Sequence, residues 1–164
     1  MFDKLLVGYD GSEGSRHALT KAIELTNLHA ASHLTVAYIN EDVVGGDLSY
    51  SNQQVGSAPI LTEVSTPPPL PETNPDSPLH FAREYAEQMK ETIEQQLVAS
   101  GVQHYSVVAI DGHPARALTD LAEQEEMDAI VVGNSGKSGI QKFFLGSVSE
   151  KIVKDSPCTV IVIK

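Results

Sequence analysis

One cysteine, Cys158, is all that the 164-residue chain carries. A lone thiol excludes an intrachain disulfide and suits a reducing compartment. Long apolar runs are also missing, and none reaches the roughly 18–20 residues that a bilayer span requires. The opening Met1-Phe2-Asp3-Lys4 has neither the charged start nor the cleavage site of a signal peptide. Together these absences read as a cytoplasmic protein without membrane insertion. Positive charge is scarce as well: 11 Lys and Arg stand against 22 Asp and Glu, for a net charge of −11. From Ala22 to Ala82 there is no Lys or Arg. Such a surface cannot neutralise a run of phosphates, which excludes a general nucleic-acid binder. The overall charge reads mainly as solubility. Lys137, Lys142, Lys151 and Lys154 cluster near the C-terminus, where a small anion such as a nucleotide phosphate has a place.

What is present is a chain with 41% hydrophobic residues and a length that suits one globular domain over residues 1–164. Leu5 to Tyr9 is a short apolar strand stopped by Asp10-Gly11-Ser12. Ala18, Ala22, Ile23, Leu25 and Leu28 follow at helical spacing, with Ser12 or Ser15 as the capping hydroxyl. His33–Asn40 reads as a second strand, and Leu79–Ser100 as a long helix with Phe81, Tyr85, Met89, Ile93 and Leu97 facing the core. Tyr105–Ile110 is a third strand, and Pro114 opens a helix that turns Ala117, Leu118, Leu121 and Ala122 inward. Ala129–Val132 is a fourth strand, Ser147–Lys154 a short helix and Thr159–Ile163 a fifth strand. Short apolar strands alternating with amphipathic helices predict an α/β fold, with a parallel sheet covered on both faces. Ligands of such sheets bind beyond the C-terminal strand ends, where the strand order reverses. Glu41–Pro78 breaks the alternation: it holds seven of the nine prolines and six acidic residues, and it reads as an insertion on the surface.

The informative stretch runs from Gly133-Asn134-Ser135-Gly136-Lys137-Ser138-Gly139 through Leu145 to Gly146-Ser147-Val148-Ser149. It leaves the fourth strand and enters a helix. Glycines let successive N–H groups approach one anion, and a helix start adds unpaired donors and partial positive charge. The hydroxyls of Ser147 and Ser149 are further neutral donors. Three rival motifs fail. A Walker A loop ending in Gly136-Lys137-Ser138 needs a glycine where Val131 stands. The glycine spacing is not G-x-G-x-x-G, and no G-x-S-x-G occurs anywhere.

The spacing Gly133-x2-Gly136-x9-Gly146-Ser147 resembles the ATP-binding signature of the universal stress protein family. The resemblance extends to Lys4–Ser12, to Asp111-Gly112-His113-Pro114-Ala115, to Leu145–Lys151 and to Ser156–Val160, and covers nearly everything except Glu41–Pro78. It implies a Rossmann-like open sheet of five parallel strands in the order 3-2-1-4-5, a homodimer, and ATP across the C-terminal strand ends. By position, Asp10 and the backbone near Gly8 and Tyr38 would face adenine, and Gly112 the ribose. Gly133, Gly136, Gly146, Ser147 and Val148 would hold ribose and phosphates. Gly8 and Asn134 depart from residues common in the family. On the residues alone, Asp10 is either an acceptor for adenine or a turn residue, and Lys137 either meets a terminal phosphate or is solvated.

The functional expectation is an ATP-binding stress-response or signalling module with a protein partner that the sequence does not name. The alternatives are a slow ATPase or nucleotidyl-transfer enzyme of the same fold, and a nucleotide-free scaffold. Binding is favoured over turnover because no carboxylate lies between Gly133 and Leu145, and Arg116 is the only arginine after Arg83. Mg²⁺ accompanying the triphosphate would be held by phosphates and water more than by protein. No metal spacing is found among the six histidines. Cys158 is expected to be a buried structural thiol. The apolar Thr159–Ile163, expected at the sheet edge, is the expected dimer contact.

Overall fold

The computed structural model describes residues 2–40, 78–134 and 145–164. Nine elements alternate along them: β1 (Lys4–Tyr9), α1 (Glu13–Asn27), β2 (His33–Asn40), α2 (Pro78–Ala99), β3 (Tyr105–Asp111), α3 (Pro114–Gln124), β4 (Ala129–Gly133), α4 (Ser147–Asp155) and β5 (Thr159–Ile163). The strands form one parallel sheet in the order β3-β2-β1-β4-β5. This is the expected Rossmann-like arrangement. Pro78, expected to close the insertion, is instead the first residue of α2, where a missing N–H leaves no helical bond unmade.

Because side chains alternate across a strand, the sheet feeds two cores. On one face Leu5, Val7, Leu34, Val36 and Val131 pack with Ala18, Leu19 and Ala22 of α1 and Ile93 and Leu97 of α2. On the other, Leu6, Ala37, Ile130 and Val132 pack with Leu118 and Ala122 of α3 and Ile152 of α4. Strands enclosed on both faces must be apolar throughout, which is why they read as continuous runs. α1 starts where Ser12 accepts the Ser15 N–H through Oγ at 3.2 Å. Of the two serines read as capping candidates, Ser12 is therefore the cap.

Three side chains depart from expectation. Leu28, spaced with the core residues of α1, lies past the end of that helix and is exposed. Tyr85 is 53% exposed, whereas Ile93 and Leu97 are fully buried and Met89 packs at the margin. Cys158 is half-buried, 3.7 Å from the Ser156 hydroxyl, rather than enclosed. Among the described residues, no helix is long and apolar enough to cross a membrane, and no cluster of potential metal ligands occurs.

Candidate functional site

Strand order reverses at β1, which pairs with β2 on one side and β4 on the other. The chain leaving β1 turns into α1, and the chain leaving β4 returns as α4, so a crevice forms at the C-terminal strand ends. Among the helices that begin along that edge are α1 after β1, α3 after β3 and α4 after β4. Each contributes a partial positive charge and first-turn N–H groups without an intrahelical acceptor. Ser12 caps α1 with its own side chain, but Gly146 at the start of α4 and His113 at the start of α3 make no side-chain cap. Of these three helices, α4 is the one whose first turn has neither a side-chain cap nor a proline in place of a donor. Pro114 follows His113 and has no N–H to offer, so α3 contributes less.

Around β4 the backbone is stitched closely. The Asn134 N–H donates to the Ile163 carbonyl at 2.8 Å, which extends the β4–β5 ladder. The Gly146 N–H donates to the Asn134 carbonyl at 2.6 Å, so the chain that departs after Asn134 returns beside it. The Ser149 hydroxyl donates to the Gly133 carbonyl at 2.6 Å, tying the first turn of α4 to the end of β4. That use takes the only proton of the hydroxyl, and Ser149 is buried, so here it acts as a tether. Ser147 is exposed at the helix start, and half-buried Val148 packs against the α3–α4 core.

The remaining residues singled out in the sequence fall at distinct places. Asp10 follows β1, and its Oδ1 accepts the Ser12 N–H at 3.0 Å, the turn that steers the chain into α1. Gly8 lies inside β1 under α3: a Cβ there would meet Leu118 Cδ1 at 2.7 Å. Tyr38 pairs with Tyr9 in the sheet and is buried in the α1–α2 core, so what it presents to the crevice is backbone. Gly112 follows β3 with φ +119, a conformation that favours glycine. Gly133 ends β4, and a Cβ on it would lie 2.5 Å from the Gly14 carbonyl carbon, so the first turn of α1 rests directly on the end of β4. The structure thus brings Asp10, Gly133, Gly146, Ser147 and Ser149 to one side of the sheet reversal, with Gly112 at the end of β3. Gly136 and Lys137 lie outside the described residues. Gly14 was missed from the sequence. Its signal was a glycine in a helical first turn, where it disfavours the helix by about 1 kcal/mol relative to alanine and implies a packing reason.

A family model described as the universal stress protein family matches residues 1–164. Universal stress protein YxiE of Bacillus subtilis is 28% identical over 171 residues, covering 100% of both chains. Among solved structures, universal stress protein UspA from Lactobacillus plantarum shares the fold with a TM-score of 0.69 and 23% identity over 98% of this chain and 97% of its own. A universal stress protein in complex with cAMP aligns with a TM-score of 0.60 and 20% identity over 99% and 96% of the two chains. One from Archaeoglobus fulgidus in complex with dAMP aligns with a TM-score of 0.60 and 14% identity over 100% and 98%. With the whole chain matched by the family model and the sheet order that its motifs implied, this chain belongs to the universal stress protein family.

Proposed function

We propose that the protein is an ATP-binding stress-response module whose output is a conformation or a choice of partner rather than a chemical product. The observation that carries the reading is the start of α4. Its N-cap is a glycine without a side-chain cap, pinned beside the end of β4 by the Gly146–Asn134 hydrogen bond. A phosphate placed there receives first-turn N–H donors and the positive end of a helix dipole, and the missing side chain lets it approach. The donor set fits an anionic phosphate. Gly136 and Lys137, which lie outside the described residues, would complete the grip, and Asp10 would accept from the adenine amino group. Relatives in complex with cAMP and dAMP support an adenine nucleotide as the ligand class. ATP rather than a monophosphate is favoured by the glycine spacing and by Lys137. Mg²⁺, where it accompanies ATP, would neutralise phosphate charge and complete its shell with water.

Calorimetric titration of wild type and Gly146→Val with ATP, AMP and cAMP tests this. The Gly146 backbone, at φ −62 and ψ 151, is a conformation that valine adopts without strain, and a cooperative melting transition of the variant checks that it is folded. Its side chain would occupy the phosphate position, and ATP affinity should fall by about 2–4 kcal/mol. Equal affinities would remove the site assignment, and tighter binding of cAMP or AMP would replace the triphosphate with a monophosphate. In the same preparations, ATP with Mg²⁺ should turn over slowly or not at all.

A further inference from the structure

A second recess lies at the opposite end of the sheet. A cavity of about 400 Å³ opens where β1, β2 and β3 begin, beneath the last turn of α3. Lys4, His33, Thr35 and Ser106 provide its polar wall. Val108, Leu121 and Met127 provide an apolar floor.

Thr35 is the informative member. It is only 6% exposed, yet its hydroxyl has no hydrogen-bond partner among the described residues. Every fully enclosed side-chain nitrogen or oxygen among those residues does have one. The Thr35 hydroxyl therefore opens onto the cavity, where an entering polar group can pair with it. Beside it, His33 Nε2 and Ser106 Oγ lie 2.9 Å apart. Lys4 Nζ donates to the Glu125 carbonyl at 2.9 Å and retains two further protons for another acceptor. Burial, with His104 and Lys4 nearby, holds the His33 imidazole below its ordinary range. His33 is thus neutral at neutral pH, and Lys4 is the one cation among the lining residues. The exposed Glu125 side chain is the one lining carboxylate, and it disfavours a ligand with two negative charges.

We propose that this cavity binds a small carboxylic acid with an apolar body. Its single negative charge is met by the Lys4 ammonium and the Thr35 hydroxyl, joined by the Ser106 hydroxyl when His33 donates to it from Nε2, and its body lies against Val108, Leu121 and Met127. The cavity is about 16 Å along β1 from the crevice at the other strand ends, so it stands independently of the nucleotide reading.

Nuclear magnetic resonance titration with benzoate, benzamide and benzylamine, each to about 10 mM, tests it. Benzoate should shift the amide signals of Thr35, Ser106 and Met127. It should also raise the His33 pKa, because a bound carboxylate favours the imidazolium. The groups facing His33 are Lys4 from β1 and His104 before β3, which oppose that rise, and Glu125 from the end of α3. Benzamide and benzylamine should leave these signals in place. Lys4→Met and Thr35→Val should each weaken benzoate binding at least tenfold without changing the melting temperature, and Thr35→Val decides the matter if Lys4→Met fails to fold. The proposal is overturned if benzoate moves none of these signals, if the neutral or cationic probe moves them equally, or if the folded variants bind benzoate as the wild type does.

Discussion

At Gly133 a single hydrogen atom decides whether α1 can sit where it does. A methyl group there would meet Gly14 carbonyl carbon, oxygen and Cα at 2.5, 2.6 and 2.9 Å, all backbone atoms of a helix that cannot rotate away. Gly133→Ala should therefore destabilise the fold by about 3 kcal/mol, the upper end of overpacking costs. Gly8 makes an informative contrast, because the nearest atom to its absent Cβ is the end of the flexible Leu118 side chain. Moving that side chain off its rotamer costs about 1 kcal/mol, and losing glycine from a strand returns about 0.5–1 kcal/mol. Gly8→Ala should be close to neutral. Urea denaturation of both variants checks the pair, and equal losses would mean that the two contacts are alike in stiffness. Asp128 works electrostatically at the other end of the sheet, where its Oδ2 accepts the N–H groups of Asp3 at 2.7 Å and Lys4 at 2.9 Å. Those two bonds, with the Lys4 charge, hold its pKa below the ordinary carboxylate value of 3.8. A depressed folded-state pKa stabilises above the unfolded value, and that contribution fades as pH falls through the folded one. Asp128→Asn should accordingly be less stable than wild type at neutral pH, with the gap closing as pH falls below the ordinary carboxylate value of 3.8. A gap that stays constant across that range would show that charge is not involved.

Helix α2 shows how a periodic pattern can mislead. Tyr85, Met89, Ile93 and Leu97 recur every four residues, but four residues of an α-helix turn 400°, so each step advances about 40° around the axis. By three steps the stripe has rotated about 120°, and Tyr85 has left the face that Ile93 and Leu97 bury. The strands were easier to read, because burial on both faces demands unbroken apolar runs such as Leu5-Leu6-Val7 and Ala129-Ile130-Val131-Val132. The caps were half legible: a serine was expected before α1, but the choice of Ser12 over Ser15 depends on a hydrogen bond between them. In the candidate site, the glycines and the α4 start were visible as a spacing. The Gly133–Gly14 contact, the Ser149 tether and the place of Gly8 beneath Leu118 were not, because each joins residues apart in sequence through a packing contact or hydrogen bond that only the folded chain makes. At this scale the stretch 41–77 is also testable. Strand β2 ends at Asn40 and α2 begins at Pro78, and lengthening a flexible connection costs only about 0.6 kcal/mol per doubling. Replacement of 41–77 by a short Gly/Ser linker should preserve a cooperative melting transition. Loss of the transition would place this stretch in the core.

For the whole molecule, β5 matters most. It is the last strand of the sheet, paired only with β4 among the described strands. Its residues from Val160 to Ile163 are half-buried, Ile161 and Ile163 leaning on one core and Val160 and Val162 on the other. A strand with unpaired backbone groups on one side and incompletely covered side chains on both faces is suited to a two-fold partner, and we propose that the protein dimerises through Thr159–Ile163. Light scattering at micromolar concentration should give a dimer. At least one of Ile161→Lys and Val162→Lys should give a folded monomer, and a monomeric wild type would exclude the interface.

The position of β1 has a consequence for biosynthesis. It is the first strand to leave the ribosome and the central one of the sheet, but its second partner, β4, begins 120 residues after β1 ends, at Ala129 against Tyr9. At about 5–20 residues per second, roughly 6–24 s separate the two. Until β4 emerges, β1, joined first by β2 and only after Asp111 by β3 beyond it, presents the open flank of Leu5-Leu6-Val7, destined to be fully enclosed. The half-made chain is thus most adhesive at its earliest segment, and chaperone dependence should concentrate there rather than at the finished protein's own edge.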